Sequence, residues 1–293
     1  MELLQLKYFC DAAKTENFSK TAERFLVPTS DISQTVKRLE SELGVELFDR
    51  RSNKITLNAR GRAFYCRASV ALEQLADARA ELADSVAGVT GEIRLLVCAN
   101  RRIVTRAIEI FGKRYPNVTF IISHRAEGKR DGYDLIISDS VPSGEGYTEK
   151  LLITERFLLA LRKDHPLADA DTIDPSELSR ASFISMDKES SISRTAERIC
   201  RDLGFEPKVT VRVDDPYYVR KYVSMGLGVA LFPEFSWNGQ FDEEVALRSV
   251  GSYARSTYAY LKRDRYATLA TKEFLNTLSE LCKEESEKIS EAP

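Results

Sequence analysis

The sequence is poor in the residues and runs that build metal centres, disulfide frameworks and membrane spans. It holds 2 histidines, and its 5 cysteines are scattered without any C-x-x-C spacing, so neither a zinc site nor a disulfide scaffold is indicated. No apolar run approaches the roughly 18 residues of a membrane-spanning helix. Asp11 and Lys14 follow the N-terminal apolar residues too soon for a secretion signal. We therefore expect a cytoplasmic protein with no metal, cofactor or membrane partner.

The chain also lacks the short motifs of common enzyme classes. It contains neither a G-x-S-x-G motif nor a phosphate-binding P-loop, and the glycines of Gly226-Leu227-Gly228 are too few for a dinucleotide fingerprint. The two histidines, His124 and His165, are far apart in sequence and have no metal-binding companions at the usual spacing. We therefore predict that the protein is not an enzyme.

Length and charge indicate several domains, one of them suited to a polyanion. A chain of 293 residues with 43% hydrophobic residues can form more than one core. The net charge of −2 is unevenly spread, because residues 1–62 hold 11 Lys and Arg against 9 Asp and Glu. Clustered Lys20, Lys37 and Arg38 could face phosphates, although an ordinary solvated surface has the same composition.

Residues 1–58 carry the pattern of a winged helix-turn-helix domain. Apolar spacing predicts a first helix over residues 3–15, a short second helix that Ser19 caps, and a third helix that begins after Pro28 with a hydroxyl residue as its cap. Gly44 ends the third helix. Its inward stripe consists of four apolar residues, Ile32, Val36, Leu39 and Leu43.

The polar side of the third helix is suited to the DNA major groove, which admits an α-helix. Hydroxyl and amide side chains reach base edges, glutamine can pair bidentately with adenine, and lysine meets phosphate or guanine. A basic hairpin around residues 50–54 predicts a wing along the neighbouring backbone or minor groove, although polar residues could also merely solvate a small domain. The predicted DNA contacts are Ser19, Thr29, Ser30, Ser33, Gln34, Lys37, Arg50, Arg51 and Asn53.

A long linker helix is predicted over residues 59–88. No proline interrupts it, and at 1.5 Å per residue it would measure on the order of 40 Å. One apolar stripe on so long a helix needs a partner, either a second copy of the chain or a core of its own domain. The stripe consists of Phe64, Ala68, Ala71, Leu75, Ala78, Leu82 and Val86.

Residues 89–293 alternate strand and helix patterns, which predicts an α/β domain with parallel strands. Within it, residues 149–163 are expected to form two strands, and a final helix is expected near residues 266–281. We predict two subdomains, one from residues 91–161 and 262–293 and the other from residues 162–261. The chain would cross between them near residues 161–163 and 260–262, as in a periplasmic binding protein. A small ligand would then lie in the cleft between the subdomains.

Ligands of open α/β sheets bind beyond the carboxyl ends of the strands. Asn100 and Arg101 would stand where a strand meets a helix N-terminus, which is a favourable place for a carboxylate, although both arginines of the Arg101-Arg102 pair could instead point into solvent. The candidate effector contacts are Asn100, Arg101, Arg102, Ser138, Asp139, Ser185, Ser190, Met225 and Phe232.

Four stretches form a specific signature: L-x-x-F from Leu6 to Phe9, FSKTAERFLVP, ISQTVKRLESELGVELFDR and KITLNARG. With them the chain resembles the LysR-type transcriptional regulators over nearly its whole length. The resemblance implies a winged helix-turn-helix, a dimerising linker helix and a two-lobed effector domain, assembled as a homodimer or as a homotetramer of paired dimers on double-stranded DNA with paired half-sites. It assigns DNA contacts to Thr29, Ser30, Ser33, Gln34, Arg50 and Arg51.

Two departures from that family prevent transfer of its operator preferences. The family usually has glutamine where Thr29 stands and arginine where Gln34 stands. Asn58 replaces a usual threonine, and it can still cap a helix.

Two other functions stay open on the sequence alone. One is a DNA-binding regulator that senses oxidation through Cys98 or Cys200, although buried cysteine is commonly just a small apolar residue. The other is a solute-binding module with a helical arm and no DNA function, which would not need the outward polar set of the third helix.

Overall fold

The structure is a computed structural model of the chain, and it describes residues 1–51, 54–125, 132–142, 146–170 and 172–290. The chain divides into two compact units, Met1–Ala87 and Gly88–Pro293. Among the described residues, none of the helices combines the length and apolar character needed to span a bilayer.

The first unit is a helix-turn-helix followed by a β-hairpin and a long helix, as the sequence predicts. The hairpin strands are antiparallel, and Arg50 faces Ile55 across the pair. The elements are α1 (Leu3–Thr15), α2 (Phe18–Phe25), α3 (Thr29–Leu43), β1 (Phe48–Arg51), β2 (Lys54–Leu57) and α4 (Ala59–Ala87).

The core of the first unit lies under α3. Ile32, Val36 and Leu39 are fully buried, which confirms the predicted inward stripe, and Leu43 at the helix end is half-buried. The start of α4 packs tightly on the segment that follows α3, because a Cβ atom at Gly61 would overlap the backbone carbonyl oxygen of Leu47. These contacts fix the hairpin and the first turns of α4 relative to α3.

Two of the predicted helix caps are wrong. Asn17, not Ser19, caps α2, since its side chain accepts a hydrogen bond from the backbone N–H of Lys20 at 3.1 Å. The N-cap of α3 is Pro28 itself, whose extended backbone lets the helix begin directly at Thr29. Apolar spacing locates a helix to within a few residues, but the cap depends on which residue adopts the extended conformation.

The second unit is a mixed α/β domain. Its main sheet has the strand order β4-β3-β5-β10-β6-β9, and a parallel pair, β7-β8, joins it by a bridge between Phe183 and Val229. The elements are β3 (Gly91–Val97), α5 (Arg101–Arg114), β4 (Val118–Ser123), β5 (Leu135–Ser138), β6 (Tyr147–Arg162), α6 (Pro175–Leu178), β7 (Ser182–Met186), α7 (Ser191–Asp202), β8 (Lys208–Val213), α8 (Pro216–Ser224), β9 (Ala230–Pro233), α9 (Glu234–Trp237), β10 (Val245–Lys262) and α10 (Leu269–Ser290).

Parallel pairing holds for only part of the second unit. Strand β3 is parallel to β4 and β5, as the alternating pattern predicts, whereas β10 is antiparallel to both β5 and β6. Residues 149–163, expected to form two strands, belong mainly to the single strand β6. The last helix continues to Ser290 instead of ending near Leu281.

The long strands β6 and β10 contribute to the two main hydrophobic cores of the second unit and to smaller clusters beside them. One core packs around α5 and α10 and includes Ile153 and Ala259, and the other includes Phe157 and Val250. The change of core therefore falls before the crossings expected near residues 161–163 and 260–262. Breaks in the sequence pattern indicate where a strand ends. Strands β6 and β10, however, stay hydrogen-bonded to each other from one lobe into the other, so no strand end marks the boundary between the lobes.

Candidate functional site

Helix α3 exposes a polar face opposite its buried stripe. Ser33 is half-buried, and the other four predicted contacts on this helix are exposed: Thr29, Ser30, Gln34 and Lys37. The face is rich in hydroxyl, amide and ammonium groups over the first turns of the helix. Ser19, the second residue of α2, is exposed close to that helix's N-terminus.

The hairpin is anchored to α3 by one buried carboxylate. Glu40 Oε1 accepts hydrogen bonds from the backbone N–H groups of Leu47 at 2.8 Å and Phe48 at 3.2 Å. Glu40 Oε2 pairs with the Arg50 guanidinium at 2.6 Å. Arg50 also lies over the ring of Phe18, at 5.9 Å from its centroid. Arg50 thus has a structural partner that its place in a basic run did not reveal.

Two of the predicted wing contacts cannot be placed in the same way. Asn53 lies outside the described residues, and for Arg51 only the backbone is described, as the last residue of β1.

The second unit contains a cleft between its two cores. A cavity of about 390 Å³ adjoins a second of about 440 Å³, and the two share the lining residues Cys98, Arg101, Met186 and Ser190. Asn100 and Arg102 line the first cavity only. Ser138 and Asp139 line the second cavity only. Six of the nine predicted effector contacts therefore line these two cavities: Asn100, Arg101, Arg102, Ser138, Asp139 and Ser190.

The structure does not bring the other three predicted contacts to these cavities. The Ser185 hydroxyl donates to the Ser193 hydroxyl on α7 at 3.2 Å. The next residue, Met186, lines both cavities, but Ser185 lines neither. Met225 is exposed at the end of α8, and Phe232 is buried against Trp237 with ring centroids 5.7 Å apart. Nearness to a strand end in sequence does not give the direction of the side chain.

Asn100 holds the floor of the cleft rather than its open face. It adopts the left-handed backbone conformation at the N-cap of α5, with φ of +53°, which asparagine tolerates better than most residues. Its side-chain NH2 donates to Thr257 Oγ1 at 2.7 Å, and its side-chain oxygen accepts from Ser236 Oγ at 2.6 Å.

A buried ion network continues from this residue. The Arg255 guanidinium donates to Glu155 Oε1 at 2.9 Å and to Asp139 Oδ2 at 2.8 Å, and all three side chains are at least nine-tenths buried. Glu155 Oε2 also accepts from the backbone N–H of Ser236 at 2.7 Å. Sequence reasoning missed Arg255 and Glu155; the available signal was a charged residue inside each of two apolar strands. Removing one partner of such a network typically costs about 3–5 kcal/mol.

The arginines that line the first cavity fall into two pairs. Arg255 is neutralised by the network. The Arg102 guanidinium lies over the ring of Phe235, donates to the backbone carbonyl of Phe235 at 3.3 Å and lies 3.6 Å from Glu285, while its buried Nε has no hydrogen-bond partner among the described residues. Arg101 and Arg220 have no carboxylate within 4 Å among the described residues. Burial lowers the pKa of both, with Asp215 partly opposing the shift. Two desolvated cations therefore face this space, which favours an anion.

One exposed arginine connects the rims of the cleft. Arg125 follows β4, and its guanidinium lies 3.3 Å from Asp187 and 3.2 Å from Asp214, which follow β7 and β8. The pairs are solvent-exposed and individually weak, worth about 0–1 kcal/mol each.

The cysteines show no disulfide among the described residues. Burial raises the pKa of Cys10 to about 11 and those of Cys200 and Cys282 to about 12, so these thiols stay protonated near neutral pH. Cys66 is exposed, and Cys98 is half-buried at the cleft. Of the two thiols considered for redox sensing, Cys200 lacks the thiolate character that such sensors need.

A winged helix-turn-helix joined to a two-lobed α/β domain with a ligand-sized cleft defines a class of DNA-binding regulators that respond to small molecules. Residues 3–62 match the family described as bacterial regulatory helix-turn-helix protein, lysR family, and residues 87–283 match the LysR substrate binding domain. The chain belongs to the LysR family of transcriptional regulators.

Relatives and solved structures agree with this assignment. The chain is 31% identical over 245 residues to the regulator ShiR of Corynebacterium glutamicum, covering 79% of this chain and 82% of that protein. It is 29% identical to the dual regulator GltC of Bacillus subtilis, over 80% and 81% of the two chains. A full-length OxyR variant from Pseudomonas aeruginosa shares its fold, with 22% identity, a TM-score of 0.70 and coverage of 97% and 95%. CbnR in complex with its target DNA gives 20% identity, a TM-score of 0.55 and coverage of 96% and 100%.

Proposed function

We propose that this LysR-type regulator reads an operator through α3 and its hairpin, and that a small carboxylate in the cleft controls it. Because its target would be chromosomal DNA, it would act in the cytoplasm. It would bind its effector without transforming it, since its family consists of transcriptional regulators.

The DNA contacts divide by chemistry. The hydroxyls of Thr29, Ser30 and Ser33 and the amide of Gln34 would reach base edges, and Lys37 a phosphate or guanine. The exposure of the polar face of α3 supports this assignment. The remaining proposed contacts would meet the backbone and comprise Ser19, Arg50, Arg51 and Asn53, with Arg50 held in place by Glu40.

A second copy of the chain would cover α4. Leu75, Leu82 and Val86 lie on the predicted stripe and are 51%, 70% and 88% exposed, so the far half of this helix is not used by its own core. Pairing two copies there would place two α3 helices at half-sites one helical turn of DNA apart, about 34–36 Å, or a multiple of it. Either a homodimer or a homotetramer of paired dimers satisfies this geometry.

The pair Arg101 and Arg220 carries the proposal of an acidic effector. Both guanidiniums line the same cavity and have no carboxylate within 4 Å among the described residues. A ligand carboxylate would form charge-assisted, bidentate hydrogen bonds with such a group.

Fluorescence anisotropy with operator fragments tests the DNA half of the proposal. We expect Gln34→Ala to relax specificity at one base pair, at a cost of about 1–3 kcal/mol there. Ser41→Ala is the matched control, because Ser41 is exposed on the last turn of the same helix and donates only to the backbone carbonyl of Lys37. Equal binding of every operator variant by Gln34→Ala and wild type would refute the contact, and binding insensitive to salt would favour the solute-binding alternative.

A further inference from the structure

The two unpaired arginines of the cleft come from opposite lobes. Arg101 opens α5, whose apolar residues Ile103 and Val104 belong to the core around α10. Arg220 lies in α8, whose Val219 is buried in one cluster with Ile184 of β7, and the neighbouring Phe183 of that strand belongs to the core of the other lobe. A ligand that contacted both side chains would therefore join the two halves of the domain.

Within the part of the chain that the structure describes, neither guanidinium has a hydrogen-bond acceptor or an ion-pair partner. The nearby carboxylate that acts on both is Asp215, and it is engaged as the N-cap of α8, where it accepts from the backbone N–H of Tyr217 at 2.8 Å. Arg220 lies over the ring of Trp237 at 5.3 Å from the centroid, which holds its plane but offers no hydrogen bond. Each guanidinium thus keeps donors available for a ligand oxygen.

The space between them has an apolar body. Met186, Ile192 and Trp237 line the same cavity as the two arginines, and its volume of about 390 Å³ suits a small organic molecule. The cavity therefore combines arginines from two lobes with an apolar lining, and Asp215 is the one carboxylate among its described lining residues.

We propose that the effector is a small dicarboxylate that bridges the lobes, with one carboxylate on Arg101, the other on Arg220 and its carbon skeleton on the apolar lining. This inference rests on the proposed function of the cleft as the effector site. Because one acid group binds each lobe, the ligand binds a closed cleft better than an open one, which is the differential affinity that a switch requires.

The first test compares diacids with matched monoacids on the full-length protein by calorimetry. The probes are malonate, succinate, glutarate and adipate against propionate, butyrate, pentanoate and hexanoate, and isophthalate and terephthalate against benzoate, at equal ionic strength. We expect at least one diacid to bind about tenfold to a hundredfold more tightly than its monoacid, as one added charge-assisted contact allows. The inference is overturned if no diacid binds more tightly than its matched monoacid.

The second test removes each arginine in turn. In Arg101→Gln and in Arg220→Gln we expect the preferred diacid to bind no more tightly than its monoacid binds wild type. Arg180→Gln is the control, because Arg180 is exposed in the second lobe and lines none of these cavities. Thermal unfolding without ligand verifies that all three variants fold.

The outcomes separate this inference from the proposed function. A monoacid that binds as tightly as the diacid and depends on one arginine leaves the effector cleft intact and refutes the bridge. Diacid binding that neither glutamine variant weakens places the ligand elsewhere, which refutes the inference as well. If the wild-type protein showed no salt-dependent binding to DNA, that result would instead refute the proposed function.

Discussion

Buried charged residues with charged partners organise both units of this protein. Glu40 ties the entry of the hairpin to α3, and Arg50 neutralises it. Arg255 does the same for Glu155 and Asp139 beneath the cleft. In each case a residue type expected at a ligand interface is instead partly or wholly committed to the fold, since an unpaired buried charge is costly.

Asp134 gives a pH-dependent prediction at the scale of one residue. Its Oδ2 accepts from the backbone N–H of Arg94 at 2.8 Å, and burial raises the pKa of this carboxyl. Because the pKa of Asp134 is higher in the folded state than in the unfolded state, folding favours the protonated carboxyl. The contribution of Asp134 to the free energy of unfolding is therefore fully present below the unfolded pKa, about 3.9, and is lost as the carboxyl ionises when the pH rises through the folded pKa. We expect Asp134→Asn, which keeps an acceptor oxygen, to raise the thermal unfolding midpoint at pH 7, with the gain vanishing below about pH 4.

Asp174→Asn is the control with the opposite sign. Asp174 caps α6 through the backbone N–H of Ser176, and this hydrogen bond lowers the pKa of its carboxyl. Its stabilisation is present above the unfolded pKa, so the asparagine variant gains nothing at pH 7. A lower midpoint for Asp134→Asn than for wild type at pH 7 would contradict the assignment.

The element scale is where α4 stands out. Its first turns pack on the winged domain through Phe64, Tyr65 and Ala68, and Leu72 joins the same core. Beyond that point Leu75, Leu82 and Val86 are exposed, whereas Ala80 is half-buried and Asp77 is buried. The far part of the helix thus carries an exposed apolar stripe.

Leu82→Glu tests whether that free surface joins two copies. We expect sedimentation to show dissociation, because each copy loses a buried leucine at the interface, together at least about 3 kcal/mol, and gains a charge. Ala83→Glu adds the same charge to the exposed neighbouring position, one step around the helix, and should leave the assembly intact. Equal masses for Leu82→Glu and wild type at micromolar concentration would exclude α4 as the interface.

Apolar spacing predicted the elements of the first unit well, because a small domain has one core and each helix one inward face. The bounds of α1 and the body of α3 follow directly from that periodicity. The same reasoning divided β6 in two, since a strand that serves two cores has no single alternating pattern.

Prediction of the cleft depended on where a residue stands relative to a strand end. The sequence predicted Arg101 at the cleft because this residue comes shortly after β3. Arg220 was not, because it lies inside α8 among tyrosines, and only the fold brings it to the cavity. Phe232 is buried and lines neither cavity, because the sequence around a strand end does not tell an inward from an outward side chain.

On the scale of the whole molecule, the net charge of the chain does not indicate how the basic residues of its DNA-binding domain are placed. The chain is weakly acidic, yet Lys20, Lys37 and Arg38 are exposed on the winged domain. We expect Lys37→Ala to weaken binding to all DNA sequences and to reduce the slope of log affinity against log salt by about 1. Lys150→Ala, at an exposed site of the second unit, should leave the slope unchanged. An unchanged slope for Lys37→Ala would remove this phosphate contact.

The pairing of β6 with β10 is irregular where the two strands run between the lobes. Ser249 faces Leu158 and Ala254 faces Arg156, so residues 250–253 of β10 stand opposite Phe157 alone. An irregularity of this kind bends its strand and increases the local twist. The bend falls beside Val250 and Phe157, which are buried in the same core. The two lobes are therefore joined by a continuous ladder that turns, with no separate linker between them in β6 or β10.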